Sequence, residues 1–208
     1  MLILPIKTKY TNWPNGSVYQ EFGKNPADYA YLGLDGHNGI DIATYAGDRI
    51  YATSGTYVEV KNDPAGYGKH VRILTPVDFN GDCLEITYGH LQDVYAVLGK
   101  SCKDGELLGN EGNTGFVISG QTHYWGNAPA NKGVHLHFGI RECSAKPTPW
   151  QMVYASGAKI YLKNYDNGFA GAVDPLKYIA QNLAKQVTLY QQIIALRQQI
   201  LLAKNTSI

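Results

Sequence analysis

Two histidines separated by one residue, in Val134-His135-Leu136-His137-Phe138-Gly139-Ile140, are the part of this sequence best suited to chemistry. Apolar residues alternate around them, so the stretch reads as a strand, and a period of two sends both imidazoles to one face about 7 Å apart. At that separation one can bind a metal while the other handles a proton. A second cluster lies far upstream, where Gly36-His37-Asn38-Gly39-Ile40-Asp41-Ile42-Ala43 places a histidine and an aspartate four residues apart. On a helix that spacing would put both on one face, but Gly36, Gly39 and the alternation of Ile40 with Ile42 argue for a loop entering a strand. His37 can then fold back toward Asp41. The third cluster is Tyr88-Gly89-His90-Leu91, closing the β-like run Cys83–Thr87.

The elements that must position these clusters are β-strands. Thr56–Val60 alternates as a half-buried strand does, Gly66-Tyr67-Gly68 turns the chain into Lys69–Leu74, and Asn80-Gly81-Asp82 turns it again into the strand that ends at His90. Short strands joined by glycine and Asn-Gly turns predict a mainly β fold, an antiparallel sheet or sandwich, rather than βαβ units. Trp13-Pro14-Asn15-Gly16 reads as a turn ahead of it. Two stretches exceed what the connections need: 119–133, read as an unstructured wall beside the site, and 144–172, polar and aromatic. Asp174-Pro175 starts a C-terminal helix, aspartate as N-cap and proline in the first helical position, running to about Lys204. Leu189, Ile193, Leu196, Ile200 and Ala203 form a short heptad seam on it, suited to a helix laid on the domain or to self-association and docking. The expected organisation is one domain over 1–180 and a helical tail over 181–208.

Composition narrows the function classes. The 208 residues, 22.9 kDa, suffice for one medium domain with an appendage. Lys plus Arg number 18 against 17 Asp plus Glu, a net charge of +1 without a long basic run, which argues against a nucleic-acid partner or a polybasic membrane anchor. The apolar opening Met1–Lys7 is too short for a secretory signal or a membrane span and breaks at Pro5, so neither is expected. Cys83, Cys102 and Cys143 are odd in number with no C-x-x-C spacing; reduced thiols, or a Cys83 to Cys102 bridge across a hairpin, both fit. Tyrosine is abundant, and with Trp125 and Trp150 it can fill core or stack on sugar. His70 and His123, lone histidines, read as structural.

His-x-x-x-Asp, then Tyr-x-His-Leu, then His-x-His, in that order within a glycine-rich β region, resembles the lysostaphin-type (M23) zinc endopeptidases of bacterial cell walls. The likeness covers roughly residues 17 to 145 and a closing Val173-Asp174-Pro175. It implies one Zn²⁺ per chain held by His37, Asp41 and His137, with a fourth position left for water. It also implies that His135 and His90 flank the metal without binding it, as general base and as partner for the oxyanion and the proton, with the two roles exchangeable. Tyr31, six residues before His37, stands where some members place a tyrosine that steadies the transition state. Cupins also use His-x-His, and Glu142 follows His137 by five residues, but they require a later histidine and none follows His137. The implied substrate is peptidoglycan, at its cross-bridge or stem peptide, in a groove walled by 25–36 and 119–133. The implied setting is a phage or bacterial wall lysin acting at the extracellular or periplasmic face, released by lysis or carried on a virion. A catalytically silent relative, structural in a virion or wall-binding, is the alternative.

Overall fold

The computed structural model of the chain describes residues 5 and 18–205, so Met1–Leu4 and the Trp13–Gly16 turn lie outside the described residues. β1 (Val18–Gln20) leads into a helical loop, α1 (Pro26–Tyr29) continuing as a 3-10 turn (Ala30–Leu32), and then into β2 (Ile40–Ala43) and β3 (Arg49–Tyr51). The long strands β4 (Gly55–Asp63), β5 (Gly68–Leu74) and β6 (Asp82–Val94) form the middle. β7 (Ser101–Cys102), β8 (Leu107–Glu111), β9 (Val117–Ser119) and β10 (Thr122–Tyr124) precede β11 (His135–Ser144). β12 (Trp150–Val153), β13 (Lys159–Leu162) and β14 (Ala172–Val173) lead to α2 (Pro175–Asn205).

The main sheet runs β1-β2-β11-β6-β5-β4-β7 with antiparallel pairing between neighbours, the mainly β architecture expected. Alternation gives it two unlike faces. On one, Ile40 and Ile42 of β2, Val71 and Ile73 of β5, Ile86 and Tyr88 of β6, and Leu136, Phe138 and Ile140 of β11 form the main core and are almost wholly buried. Burying each such large side chain is worth about 1.5–3 kcal/mol, and this is the principal force holding the register. A slip of one residue would turn every one of them to the other face. That other face carries His135, His137, Arg141 and Cys143 of β11.

The β12–β13 hairpin packs on the far part of this second face. A smaller core of Val58, Cys83, Cys143, Tyr154, Ile160 and Leu162 forms beneath it. The stretch 144–172 is therefore strand-bearing, and so is 119–133, whose start completes the β9–β10 hairpin instead of lying unstructured. Both hairpins are too short to show a period of two in sequence. All three cysteines are free and buried. The structure does not favour Cys83 with Cys102: Cys83 sits opposite Cys143 across β6 and β11, whereas Cys102 is on the edge strand β7 and belongs to the main core.

α2 begins where the sequence places it. Asp174 Oδ1 accepts the Leu176 backbone N–H at 3.0 Å, capping the helix ahead of Pro175. Leu176, Tyr178 and Ile179 anchor its first turns to the main core. Of the heptad seam, Ile193 and Leu196 are exposed, and the side chains of Leu189, Ile200 and Ala203 lie outside the described residues. Among the described residues no helix is long and apolar enough to cross a membrane.

Candidate metal and catalytic centre

His37 and Asp41, from the loop entering β2 and from β2 itself, meet His137 through a single strand pairing. Asp41 and His137 are direct partners in the β2–β11 register, so their side chains leave the same face side by side. His37 folds back over them. Its Nε2 is 3.0 Å from His137 Nδ1 and 3.2 Å from Asp41 Oδ1, and His137 Nδ1 is 3.3 Å from that same oxygen. Three donors bonded at about 2.0–2.1 Å to one tetrahedral ion stand about 3.3 Å apart, so the triangle has the dimensions of a zinc ligand set. Asp41 Oδ1 has no hydrogen-bond partner among the described residues, although all three side chains are buried. A buried, unpaired acceptor is costly, and a cation at the centre of the triangle is the group that relieves it. His37 is further oriented by its Nδ1, 3.3 Å from the Glu21 carbonyl oxygen.

Gly39 shows why a glycine lies between His37 and Asp41. A Cβ there would come within 2.6 Å of His137 Cε1, so the loop can pass the ring only without a side chain. Gly115, in the Gly112–Gly115 turn, answers a similar demand at φ +86°, where an added Cβ would meet the Gly68 nitrogen at 2.2 Å.

His135 and His90 flank the triangle with their rings 4.5 Å apart, centroid to centroid. Each donates from Nδ1 to a backbone carbonyl, His135 to Gly133 and His90 to Thr114, both at 2.7 Å. A carbonyl can only accept, so both rings carry a proton on Nδ1, which leaves Nε2 as the nitrogen not engaged by the backbone. His135 Nε2 lies 3.7 Å from Asp41 Oδ1, which places this nitrogen beside the triangle. His90 adopts φ +64°, an unusual conformation for a residue with a side chain, and its N–H is held by the Tyr67 carbonyl at 2.8 Å.

Burial, reinforced by the neighbouring imidazoles, holds His90 well below the usual histidine range and lowers His137 to about 4. Both are neutral near pH 7, the form in which an imidazole can bind a metal or accept a proton. Burial alone would raise Asp41, but His135, His37 and His137 outweigh it and keep the carboxyl ionised well below its ordinary value.

The family model for peptidase family M23 matches residues 35–149, which contain every one of these side chains. The chain belongs to peptidase family M23. Among solved structures, this M23 chain is similar to LytU, at 26% identity over 84% of this chain and 92% of that one, with a TM-score of 0.51. It is also similar to the catalytic domain of the prophage-encoded M23 protein EnpA from Enterococcus faecalis, at 25% identity over 64% of this chain and 83% of that one, TM-score 0.42. The antimicrobial peptidase lysostaphin from Staphylococcus simulans matches at 19% identity and a TM-score of 0.49, over 79% of this chain and only 49% of that one. No curated protein matches the sequence.

The M23 centre opens into a cleft of about 260 Å³. Leu32 and Leu34 of the 25–36 loop line it together with Phe116, Val117 and Ile118, and a second hollow that shares Tyr19 and Ile118 is lined by Ser119, Gly120, Asn131 and Gly133 of 119–133. Tyr31 is not brought to the centre. It stands 59% exposed, with its ring edge-on to Phe116 at 5.7 Å. The loop is helical there, and two residues along a helix turn a side chain to the far side. Tyr29 takes the inner position instead, stacked on His37 at 5.2 Å, with its hydroxyl accepting from Gln20 Nε2 at 2.7 Å.

Sequence reasoning also passed over Tyr67. Its ring lies 4.8 Å from that of His137, and its hydroxyl accepts from Asn38 Nδ2 at 2.6 Å. The signal was the Gly66-Tyr67-Gly68 turn, noted for its glycines only.

Proposed function

We propose that this M23 peptidase is a zinc-dependent endopeptidase that hydrolyses peptide bonds of bacterial peptidoglycan. The observation that carries the reading is the buried triangle of His37 Nε2, Asp41 Oδ1 and His137 Nδ1, sized for one tetrahedral ion and left with an unpaired carboxylate oxygen. Two neutral nitrogens and one carboxylate would hold Zn²⁺ with a net charge of about +1. Bound there, zinc supplies an acidified water as nucleophile and polarises the scissile carbonyl.

The remaining work falls to the protein. His135, its Nδ1–H fixed on Gly133, presents Nε2 to take the proton of the attacking water and return it to the leaving amine. His90, fixed in the same way on Thr114, lies behind His135 and helps to steady the developing oxyanion and deliver the proton. Burial, aided by the Asp41 carboxylate, raises the Tyr29 hydroxyl above its ordinary range, so it remains a neutral hydrogen-bond donor at the cleft. Tyr31, at the rim, has no part in this step. Peptidoglycan as substrate is supported by family membership together with the lysostaphin-type order of the three motifs.

The test pairs two measurements: the metal content of purified protein by elemental analysis, and the release of new amino groups from purified peptidoglycan with and without a chelator. About one zinc per chain and release abolished by chelation are expected. Stoichiometric zinc without release from any wall type would overturn the enzymatic reading in favour of a silent relative, and failure to take up zinc on reconstitution would overturn the metal site.

A further inference from the structure

Beside the cleft stands a cluster of aromatic side chains that the hydrolytic centre does not use. Phe116 and Trp125 continue the β9–β10 register outward from the Val117–Tyr124 pair and face each other with ring centroids 5.3 Å apart. His123 packs edge-on to both, at 5.7 Å from Phe116 and 6.0 Å from Trp125, and Tyr31 closes the group from the helical loop. Trp125 is 59% exposed, like Tyr31, and His123 is exposed too. Single exposed aromatics are ordinary, but three exposed rings gathered around a fourth, Phe116, at the mouth of a cleft are not.

The platform is also built rather than loose. Phe116 N–H donates to the Gly66 carbonyl at 2.8 Å, Gly126 N–H to the Pro64 carbonyl at 3.0 Å, and Thr114 bridges Asn127, so both flanks of the hairpin are tied to the β4–β5 turn. Phe116 itself lines the catalytic cleft, which makes platform and cleft one continuous surface.

We propose that this rim, centred on Trp125 with Phe116, His123 and Tyr31, is a subsite for a sugar ring of the glycan strand that carries the peptide being cut. The inference rests on the proposed peptidoglycan endopeptidase activity and deepens it. A pyranose presents a face of weakly positive C–H bonds, and the negative face of an indole or phenol ring complements it. Hydroxyl and acetamido groups at the edge of the sugar need hydrogen-bonding partners; exposed His123 offers one within the platform, and exposed Asn127 follows Trp125 by two residues. A purely lipid or apolar protein surface would be served as well by aliphatic side chains, whereas this cluster is wholly aromatic. In peptidoglycan the glycan is the part of the substrate lying immediately beyond the peptide, so a platform continuous with the cleft meets it when the bond cut lies in the stem. The site therefore favours the stem peptide over the middle of a cross-bridge.

The experiment compares, for the zinc-loaded full chain, a disaccharide-peptide with the same peptide after amidase removal of its sugars, and separately titrates the protein with oligomers of N-acetylglucosamine. The expected results are a KM about 2- to 10-fold lower for the sugar-bearing substrate and saturable oligomer binding, both lost in Trp125→Ala and largely retained in Trp125→Phe. His123→Ala should weaken both more modestly, which keeps the test open if Trp125→Ala fails to fold. Equal KM for the two substrates and no oligomer binding would overturn the subsite while leaving the peptidase reading intact. An equal loss on both substrates in Trp125→Ala would also overturn it, assigning the rim to the peptide. Trp125-dependent oligomer binding in a chain that cleaves neither substrate would sink the peptidase reading and uphold the sugar site.

Discussion

The second face of the sheet holds two buried polar regions, and they solve the problem of burial in opposite ways. Toward the far end, Glu85 is wholly buried but is met by Arg72 at 3.7 Å, by Arg141 at 3.5 Å and by the Tyr154 hydroxyl from the β12–β13 hairpin. Arg72 also reaches Glu59 at 3.3 Å, and His70 binds Glu59 at 2.9 Å. Opposite charges within the chain neutralise one another. At the near end, Asp41 is surrounded by the imidazoles of His37, His135 and His137, and among the described residues no arginine or lysine pairs with it. Two regions alike in burial, each with a carboxylate oxygen short of a hydrogen bond, thus differ in counter-charge: Glu85 faces two guanidinium groups, Asp41 faces imidazoles alone. A buried carboxylate marks a site only when its counter-charge is missing.

The contrast can be broken experimentally. The largest effect is expected for Asp41→Ala or His37→Ala, which should lose both bound zinc and peptidase activity to background; stoichiometric zinc in either variant would remove the ligand assignment. His135→Ala comes next, keeping its zinc while the rate falls by about 10²- to 10⁴-fold. Wild-type turnover in that variant would end its role as base. At the far end, Glu85→Ala leaves two buried guanidinium groups without their shared partner, and denaturant unfolding should show a loss of about 3–5 kcal/mol with zinc stoichiometry intact. If zinc were lost while stability held, the two regions would not be independent.

The smallest effect is a pH dependence. The His70 hydrogen bond, acting against burial and aided by Arg72, lowers Glu59 to about 2, below its unfolded value. A depressed carboxyl contributes stability that is fully present above the unfolded value near 4.5 and is lost as pH falls toward 2. Glu59→Gln should flatten this acid limb in unfolding curves taken between those limits, and an unchanged limb would assign the acid sensitivity elsewhere.

Much of the near end was legible before any coordinates. Ile40/Ile42 and Leu136/Phe138 declare a period of two, and the intervening Asp41 and His137 must then share the opposite face. Asp174-Pro175 announced the helix by capping chemistry alone. What sequence could not give was anything decided by short elements or by phase. β9–β10 and β12–β13 have strands of three or four residues, too few for alternation to show, although Gly120 and Ser156-Gly157 are turn signals in hindsight. Tyr31 stands at the rim and Tyr29 in the cleft because the loop is helical, a phase that spacing from His37 does not reveal. The far-end network was invisible for another reason: Glu85, Arg72 and Arg141 lie on three strands, and only the register brings them together.

The β2–β11 pairing also has a consequence for when activity can arise. Two corners of the triangle are in hand by residue 41, but the third is at 137, and His135 arrives with it on the same strand. During synthesis the first two side chains leave the ribosome with nothing to close on, and a chain shorter than β11 cannot assemble the triangle at all. Closing such a long loop is among the slower and later events of folding. The proposed hydrolytic centre is therefore completed only with its own sheet, and a chain that stops before β11 lacks it.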